Sequence, residues 1–302
     1  MLLTRRQLLH RSAVLAALSV GGPMLLSGCA SVNPAAGPAG KATLDRAREQ
    51  GFMRIGFANE APFGYADPSG KLTGEAPEVA RRVLKDLGVN EIDGVLTEFG
   101  SLIPGLQAGR FDLIAAGMFI RPQRCQQILF SEPDYIATEA LTVKKGNPLG
   151  LNDYTDVAKN ATARLGVESG AVEGDYARKL GVPEDRIVQF NDGPSGIAGL
   201  QAGRVDAFSL TSISLRDLLS KATDPNLELA KPFTPVVDGK PQYGAGGYGI
   251  RKGDEAFRDA FNEKLAALKK SGELLKIIEP FGYTQAELVP DDVTTAKLCA
   301  EG

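Results

Sequence analysis

One duplicated stretch constrains this chain more than any other feature. Ser101-Leu-Ile-Pro-Gly-Leu-Gln-Ala-Gly-Arg-Phe-Asp112 and Ser195-Gly-Ile-Ala-Gly-Leu-Gln-Ala-Gly-Arg-Val-Asp206 agree at nine of twelve positions, without a gap, at an offset of 94 residues. Self-similarity on this scale points to one supersecondary unit used twice. Each copy reads as a helix stopped by a glycine, Gly109 or Gly203, because glycine enters the left-handed conformation that closes a helix without steric cost. A strand follows at 111–116 and 205–210. The flanks repeat too: buried strands are expected at 54–58 and 164–168, helices at 75–87 and 172–180, and middle strands at 94–98 and 186–190. Two βαβαβ units in tandem predict two mostly parallel sheets flanked by helices, since parallel strands need right-handed crossovers and bury both faces.

A further strand at 248–252 and an amphipathic helix at 255–270, with Phe257, Phe261, Leu265 and Leu268 inward, need a sheet to pack on. Returning them to the first unit is the economical solution. The chain then crosses twice, near 141–145 and near 236–247, and two crossings make a hinge. The expected layout is an α/β protein of two lobes, with residues 42–142 and 238–302 in the first and 143–237 in the second. Open α/β sheets bind beyond the carboxyl ends of their strands, so two such edges across a hinge form a closable cleft.

The N-terminus sets the compartment. Thr4-Arg5-Arg6-Gln7-Leu8-Leu9 puts two arginines ahead of an apolar run at 13–26, the pattern of a twin-arginine export signal. Gly21, Gly22 and Pro23 interrupt the run, which is short of the ~20 apolar residues of a spanning helix. Leu26-Ser27-Gly28-Cys29 resembles a lipobox, which makes Cys29 the acylated N-terminus of the mature protein and residues 1–28 a signal peptide. Residues 29–41, rich in Ala, Gly and Pro, read as a flexible tether. The body is expected outside the cytoplasm, held to the membrane by lipid.

Cleavage removes three of the 34 basic residues and none of the 37 acidic ones, so the mature chain is mildly acidic and has no basic run for a nucleic acid. It also removes His10, the only histidine. Without histidine there is no Ser-His or Cys-His dyad and the commonest metal ligand is missing, which argues against an enzyme, a metal or a cofactor. Cys125 and Cys299 remain, and an oxidising location favours their pairing over two free thiols.

Several stretches carry a resemblance across essentially the whole mature chain: Phe57-Ala-Asn-Glu-Ala-Pro-Phe-Gly-Tyr65, Gly74-Glu-Ala-Pro-Glu78, the two repeats, and Arg121-Pro-Gln-Arg124 ahead of Phe130-Ser-Glu-Pro133. The chain resembles the bilobal periplasmic amino-acid-binding proteins of ABC importers. Within them it is most similar to ectoine/hydroxyectoine binders, on Asn59-Glu-Ala-Pro-Phe-Gly64, Thr97-Glu-Phe-Gly-Ser-Leu-Ile-Pro-Gly-Leu106 and Ser169-Gly-Ala-Val-Glu-Gly174. The resemblance implies a monomer that hands a small zwitterion to membrane permease subunits. It also places a carboxylate grip at Arg124, whose guanidinium makes two parallel hydrogen bonds where lysine cannot. Arg121 is assigned no ligand role.

The second lobe is expected to meet the same carboxylate with backbone N–H groups of Gly170, Ala171 and Val172 at a helix start. Ala171 stands where many relatives of this kind have a hydroxyl, and Thr211 where amino-acid-specific ones carry an aspartate for the α-ammonium. Without that carboxylate a cyclic or substituted amine fits better. For it the first lobe offers Glu60, Phe63, Phe99 and Phe119 after its strands, with Gly117 beside them, since aromatic faces attract delocalised cations. Gln242 and Tyr243 are weaker candidates for closing the pocket. Three other readings compete: a binder of polar amino acids, a cleft-carboxylate dehydratase on the same fold, and a ligand-sensing ectodomain.

Overall fold

The computed structural model describes residues 42–222 and 224–300. The predicted signal peptide (1–28), Cys29 and the tether (29–41) lie outside the described residues. Among the described residues no helix is long and apolar enough to cross a membrane.

Two sheets form the body. In the first, the strands run in the order Glu91–Leu96, Phe52–Phe57, Leu113–Phe119, Gly244–Ile250, Leu129–Phe130, with Tyr135–Ala137 also paired to Gly244–Ile250. In the second the order is Ile187–Phe190, Leu165–Glu168, Ala207–Thr211, Glu139–Lys144, Leu227–Leu229. Each sheet is mixed. The three strands of the duplicated unit are parallel, and the strands that carry the chain between sheets pair antiparallel to them. The passage to the second sheet falls at Thr138, earlier than 141–145, because the strand Glu139–Lys144, buried from Glu139 to Val143, pairs along its length within the second sheet. The return falls between Phe233 and Gly244.

The central strands are apolar and covered on both faces, as parallel strands must be. Glu75–Asp86 buries Ala76, Val79, Ala80, Val83 and Leu84 at helical spacing against the first sheet, and Glu255–Ser271 buries Phe257, Phe261, Leu265 and Leu268. Cys125 and Cys299 are disulfide-bonded, with Cα atoms 5.8 Å apart. Thr295 reinforces this C-terminal clip by donating from its hydroxyl to the Ser131 carbonyl at 2.6 Å.

The repeat builds the same latch in each lobe. Gly109 and Gly203 both have φ of 69°. Arg54 Nη2 donates to the Gly109 carbonyl at 3.1 Å, and Arg164 Nη2 to the Gly203 carbonyl at 2.6 Å. Asp112 and Asp206 accept from the backbone N–H of Arg54 and Arg164 at 3.3 and 2.8 Å. Each latch ties the end of the repeated helix to the neighbouring strand, at the end of the sheet away from the cleft.

Candidate functional site

Nine of the sequence-predicted positions meet around one small cavity between the lobes: Glu60, Phe63, Phe99, Gly117, Phe119 and Arg124 from the first, Ala171, Val172 and Thr211 from the second. Glu173 and Leu210 complete the wall. The apolar run Leu113–Phe119 extends further than the predicted strand, so Gly117 and Phe119 lie within it and Phe119 ends it, pairing with Gly246.

Arg124 is held by its own lobe and reaches the other. Its Nη1 donates to the Phe119 carbonyl at 2.8 Å, its Nη2 to the Gly170 carbonyl at 3.0 Å, and its guanidinium carbon lies 5.3 Å from the centre of the Phe99 ring. Burial pulls its pKa down to about 10, which leaves it cationic at neutral pH. Glu60 accepts from the Ser214 hydroxyl of the second lobe at 2.7 Å. Burial pushes its carboxyl up to about 7, against the lowering effect of that hydrogen bond.

Phe63 is 1% exposed and packs on Tyr135, ring centres 5.1 Å apart, and on Tyr283 at 6.3 Å. It is core on one side and cavity wall on the other. The lobes also meet at two glycines: a Cβ added to Gly170, whose φ is +81°, would lie 2.5 Å from Gly100 Cα. Arg121, given no role from sequence, lies over the Tyr176 ring of the second lobe at 4.8 Å. Gln242 does not line this cavity. The return segment folds back as the hairpin Val236–Val237 with Lys240–Pro241, and Gln242 accepts from Arg121 beside a different cavity that Tyr243 also lines.

The second-lobe wall differs most from expectation. Its helix spans Glu173–Lys179, and the Ala171 N–H turns back to the Glu168 carbonyl at 3.2 Å instead of pointing at an anion. The first helical residue is a buried acid. Glu139, Glu168 and Glu173 are each at most 3% exposed, and each has one carboxyl oxygen without a hydrogen-bond partner. Burial, then the neighbouring Glu173, holds the Glu139 carboxyl far above the usual carboxylate range. Burial raises Glu173 to about 7, and burial with Glu60, Glu173 and Asp192 nearby raises Glu168 to about 10. Glu139 pairs directly with Thr211 in the sheet. The acid missing at 211 is therefore supplied by the helix, whose Glu173 lines the cavity, and Glu139 stands next to Thr211 on the neighbouring strand. Glu173 was legible two residues past Ala171; Glu139 was not, because only strand pairing brings it there.

The central cavity has a volume of about 20 Å³, so the walls nearly touch. A larger cavity of about 290 Å³ shares Arg124 and Phe99 with it and is lined by Arg121 and Lys179. Another, of about 190 Å³, shares Glu60 and is lined by Glu168, Asp192 and Asp217. The cleft is thus a row with a basic end, a narrow aromatic middle and an acidic end.

The family model of the bacterial extracellular solute-binding proteins, family 3, matches residues 53–284. The chain belongs to that family. It is 39% identical over 267 residues to a probable amino-acid ABC transporter periplasmic-binding protein of Sinorhizobium fredii, covering 87% of each chain. Among solved structures it is similar to EhuB in complex with hydroxyectoine, at 46% identity and a TM-score of 0.79, over 87% of this chain and all of that one. An ancestral arginine-binding protein bound to arginine is 29% identical, with a TM-score of 0.67, over 76% of this chain and 98% of that one. This solute-binding protein therefore has the two-lobed fold of its relatives and serves an ABC importer of the amino-acid type outside the cytoplasm. It is a transport protein, not an enzyme.

Proposed function

We propose that the protein, tethered by lipid at Cys29, closes its lobes around ectoine or hydroxyectoine and delivers them, as a monomer, to the permease of its importer. The observation that carries this is the arrangement of Arg124 and Glu60 on one cavity with Phe63, Phe99 and Phe119 in its wall. Ectoine has a carboxylate at one pole and a charge-delocalised amidinium at the other. A guanidinium suits the first, aromatic faces and a carboxylate the second. EhuB, whose solved structure holds hydroxyectoine, supports the same assignment. Because the central cavity is narrow, entry of a ring requires the lobes to part at Thr138 and at the return segment. Arg124 then exchanges the Gly170 carbonyl for the solute's carboxylate, and closure buries both poles.

A second reading is a binder of polar amino acids. Glu173 favours it, because this acid beside Thr211 offers an α-ammonium the charge partner that position 211 lacks. Isothermal titration separates the two. Ectoine is expected to bind at least about a hundredfold more tightly, some 2.7 kcal/mol, than neutral amino acids such as glutamine or cystine. A neutral amino acid that binds more tightly than ectoine would replace the first reading by the second.

A further inference from the structure

Arg121 starts the short helix Pro122–Cys125 that carries Arg124, and its carbonyl accepts from the Arg124 N–H at 3.0 Å. The turn that fixes the grip therefore also fixes Arg121, yet Arg121 does not line the central cavity. Its side chain joins three parts of the molecule instead. Nη2 donates to Gln242 Oε1 on the return segment at 3.2 Å, and the guanidinium carbon lies 4.8 Å from the centre of the Tyr176 ring, on the second-lobe helix Glu173–Lys179. Tyr176 is 1% exposed and packs on Tyr154 with ring centres 6.4 Å apart, so core packing holds the platform in place. Arg121 lines both the 290 Å³ cavity and the 200 Å³ cavity beside the return hairpin, and thus spans the cleft between them.

We infer that Arg121 is a positioning residue for solute capture, a latch that holds the lobes together through the Tyr176 ring and sets how fast the closed protein lets its solute go. The inference rests on the reading that the lobes part to admit a solute, and not on which solute that is. The bonds from Arg124 to the Gly170 carbonyl and from Ser214 to Glu60 also cross the cleft, but they use the groups that grip the solute and are exchanged when it arrives. Arg121 and Tyr176 use none of those groups, so their contact acts in the closed protein whether the cavity is empty or filled. A guanidinium over a buried aromatic face is attracted by the ring quadrupole, and parting the lobes gives that attraction up. The bond to Gln242 keeps Arg121 on the first-lobe side of the cleft as Tyr176 moves away. A contact made only in the closed form shifts the population toward that form.

Small-angle scattering of the solute-free protein tests this without any assumption about the solute. Arg121→Met, which keeps the length of the side chain and loses its charge, is expected to have a larger radius of gyration than the wild type, and Tyr176→Leu likewise. The double variant should expand no further than either single one, because each removes the same contact. Arg121→Lys keeps a cation and should stay nearer the wild type. Loaded with radiolabelled ectoine and chased with unlabelled ectoine, Arg121→Met is expected to release it at least about fivefold faster. A solute-free radius of gyration that is unchanged in Arg121→Met overturns the latch, even if Tyr176→Leu does not fold. Weaker ectoine binding with that radius unchanged would make Arg121 a solute contact and overturns it too. Wild-type protein that binds no ectoine removes only the ring-solute reading and leaves the scattering test standing.

Discussion

Asp112 and Asp206 close the two copies of the repeat, and their surroundings differ. Asp112 is 1% exposed and receives Arg46 at 2.6 Å, Arg251 at 3.3 Å and Arg54 at 3.4 Å. Asp206 is 29% exposed, and its ion pair is to Arg164 at 4.0 Å. The helix Thr43–Gln50 and the returning segment, which exist only once, cover the first latch and leave the second at the surface. The cleft ends diverge further. The strand after Asp112 leads to Phe119 and Arg124, a delocalised cation among aromatic rings, whereas the strand after Asp206 leads to Thr211 beside the buried Glu139 and Glu173. Duplication preserved the scaffold at one end of each sheet, and the unrepeated loops at the other end carry the chemistry.

If recognition lies in those loops, its largest single dependence is on the first lobe's cation. Arg124→Ala is expected to reduce ectoine affinity by about a thousandfold, roughly 4 kcal/mol, because it strands a carboxylate in a closed cleft. Titration of a variant with unchanged unfolding behaviour checks this, and a loss under tenfold would move the anion site elsewhere.

The latches are next. Asp112→Ala leaves three arginines without their buried partner and is expected to lower the unfolding free energy by about 3 kcal/mol. Asp206→Ala removes an exposed pair and should cost about 1 kcal/mol or less. Denaturant melts of the two variants measure the asymmetry directly, and equal losses would mean that burial does not distinguish the copies.

The acid of the first lobe gives a smaller, pH-dependent effect. With Glu60 titrating at about 7, its carboxylate is present above that pH and attracts the amidinium, and it is protonated below. Ectoine affinity should therefore fall up to about tenfold from pH 8 to pH 6. Glu173 titrates in the same range, so Glu60→Gln is the control: it weakens binding at pH 8 and flattens the profile.

Much of this asymmetry was legible in the sequence, because the repeat fixes element order and the position of each strand end. The first-lobe positions around the central cavity could be read because each follows its own strand within a few residues. The second wall was misread where it depends on long-range geometry. Glu139 arrives by antiparallel pairing across the passage between sheets, and Glu168 becomes a cavity floor only when the helix Ser212–Ala222 faces it. Phe63 shows the same limit, since spacing identifies a residue after a strand but not that Tyr135 and Tyr283 occupy one of its faces. Gln242 was drawn to the site by its place in the return segment, whereas the hairpin there turns it to Arg121.

The smallest effect sharpens the second-lobe side. Ala171→Ser adds a hydroxyl where the Ala171 N–H is already turned to the Glu168 carbonyl, and it is expected to change ectoine affinity by less than about threefold, as titration of the variant would measure.

The account's central claim is that the unrepeated loops of the first lobe read both poles of one solute, and a crystal structure with ectoine bound tests it most directly. It should place the carboxylate on the Arg124 guanidinium, the ring against Phe99 and Phe119, and a ring nitrogen within hydrogen-bonding distance of Glu60. The reversed orientation, with the nitrogens on Glu173 and Glu139 and no contact to Glu60, would contradict it.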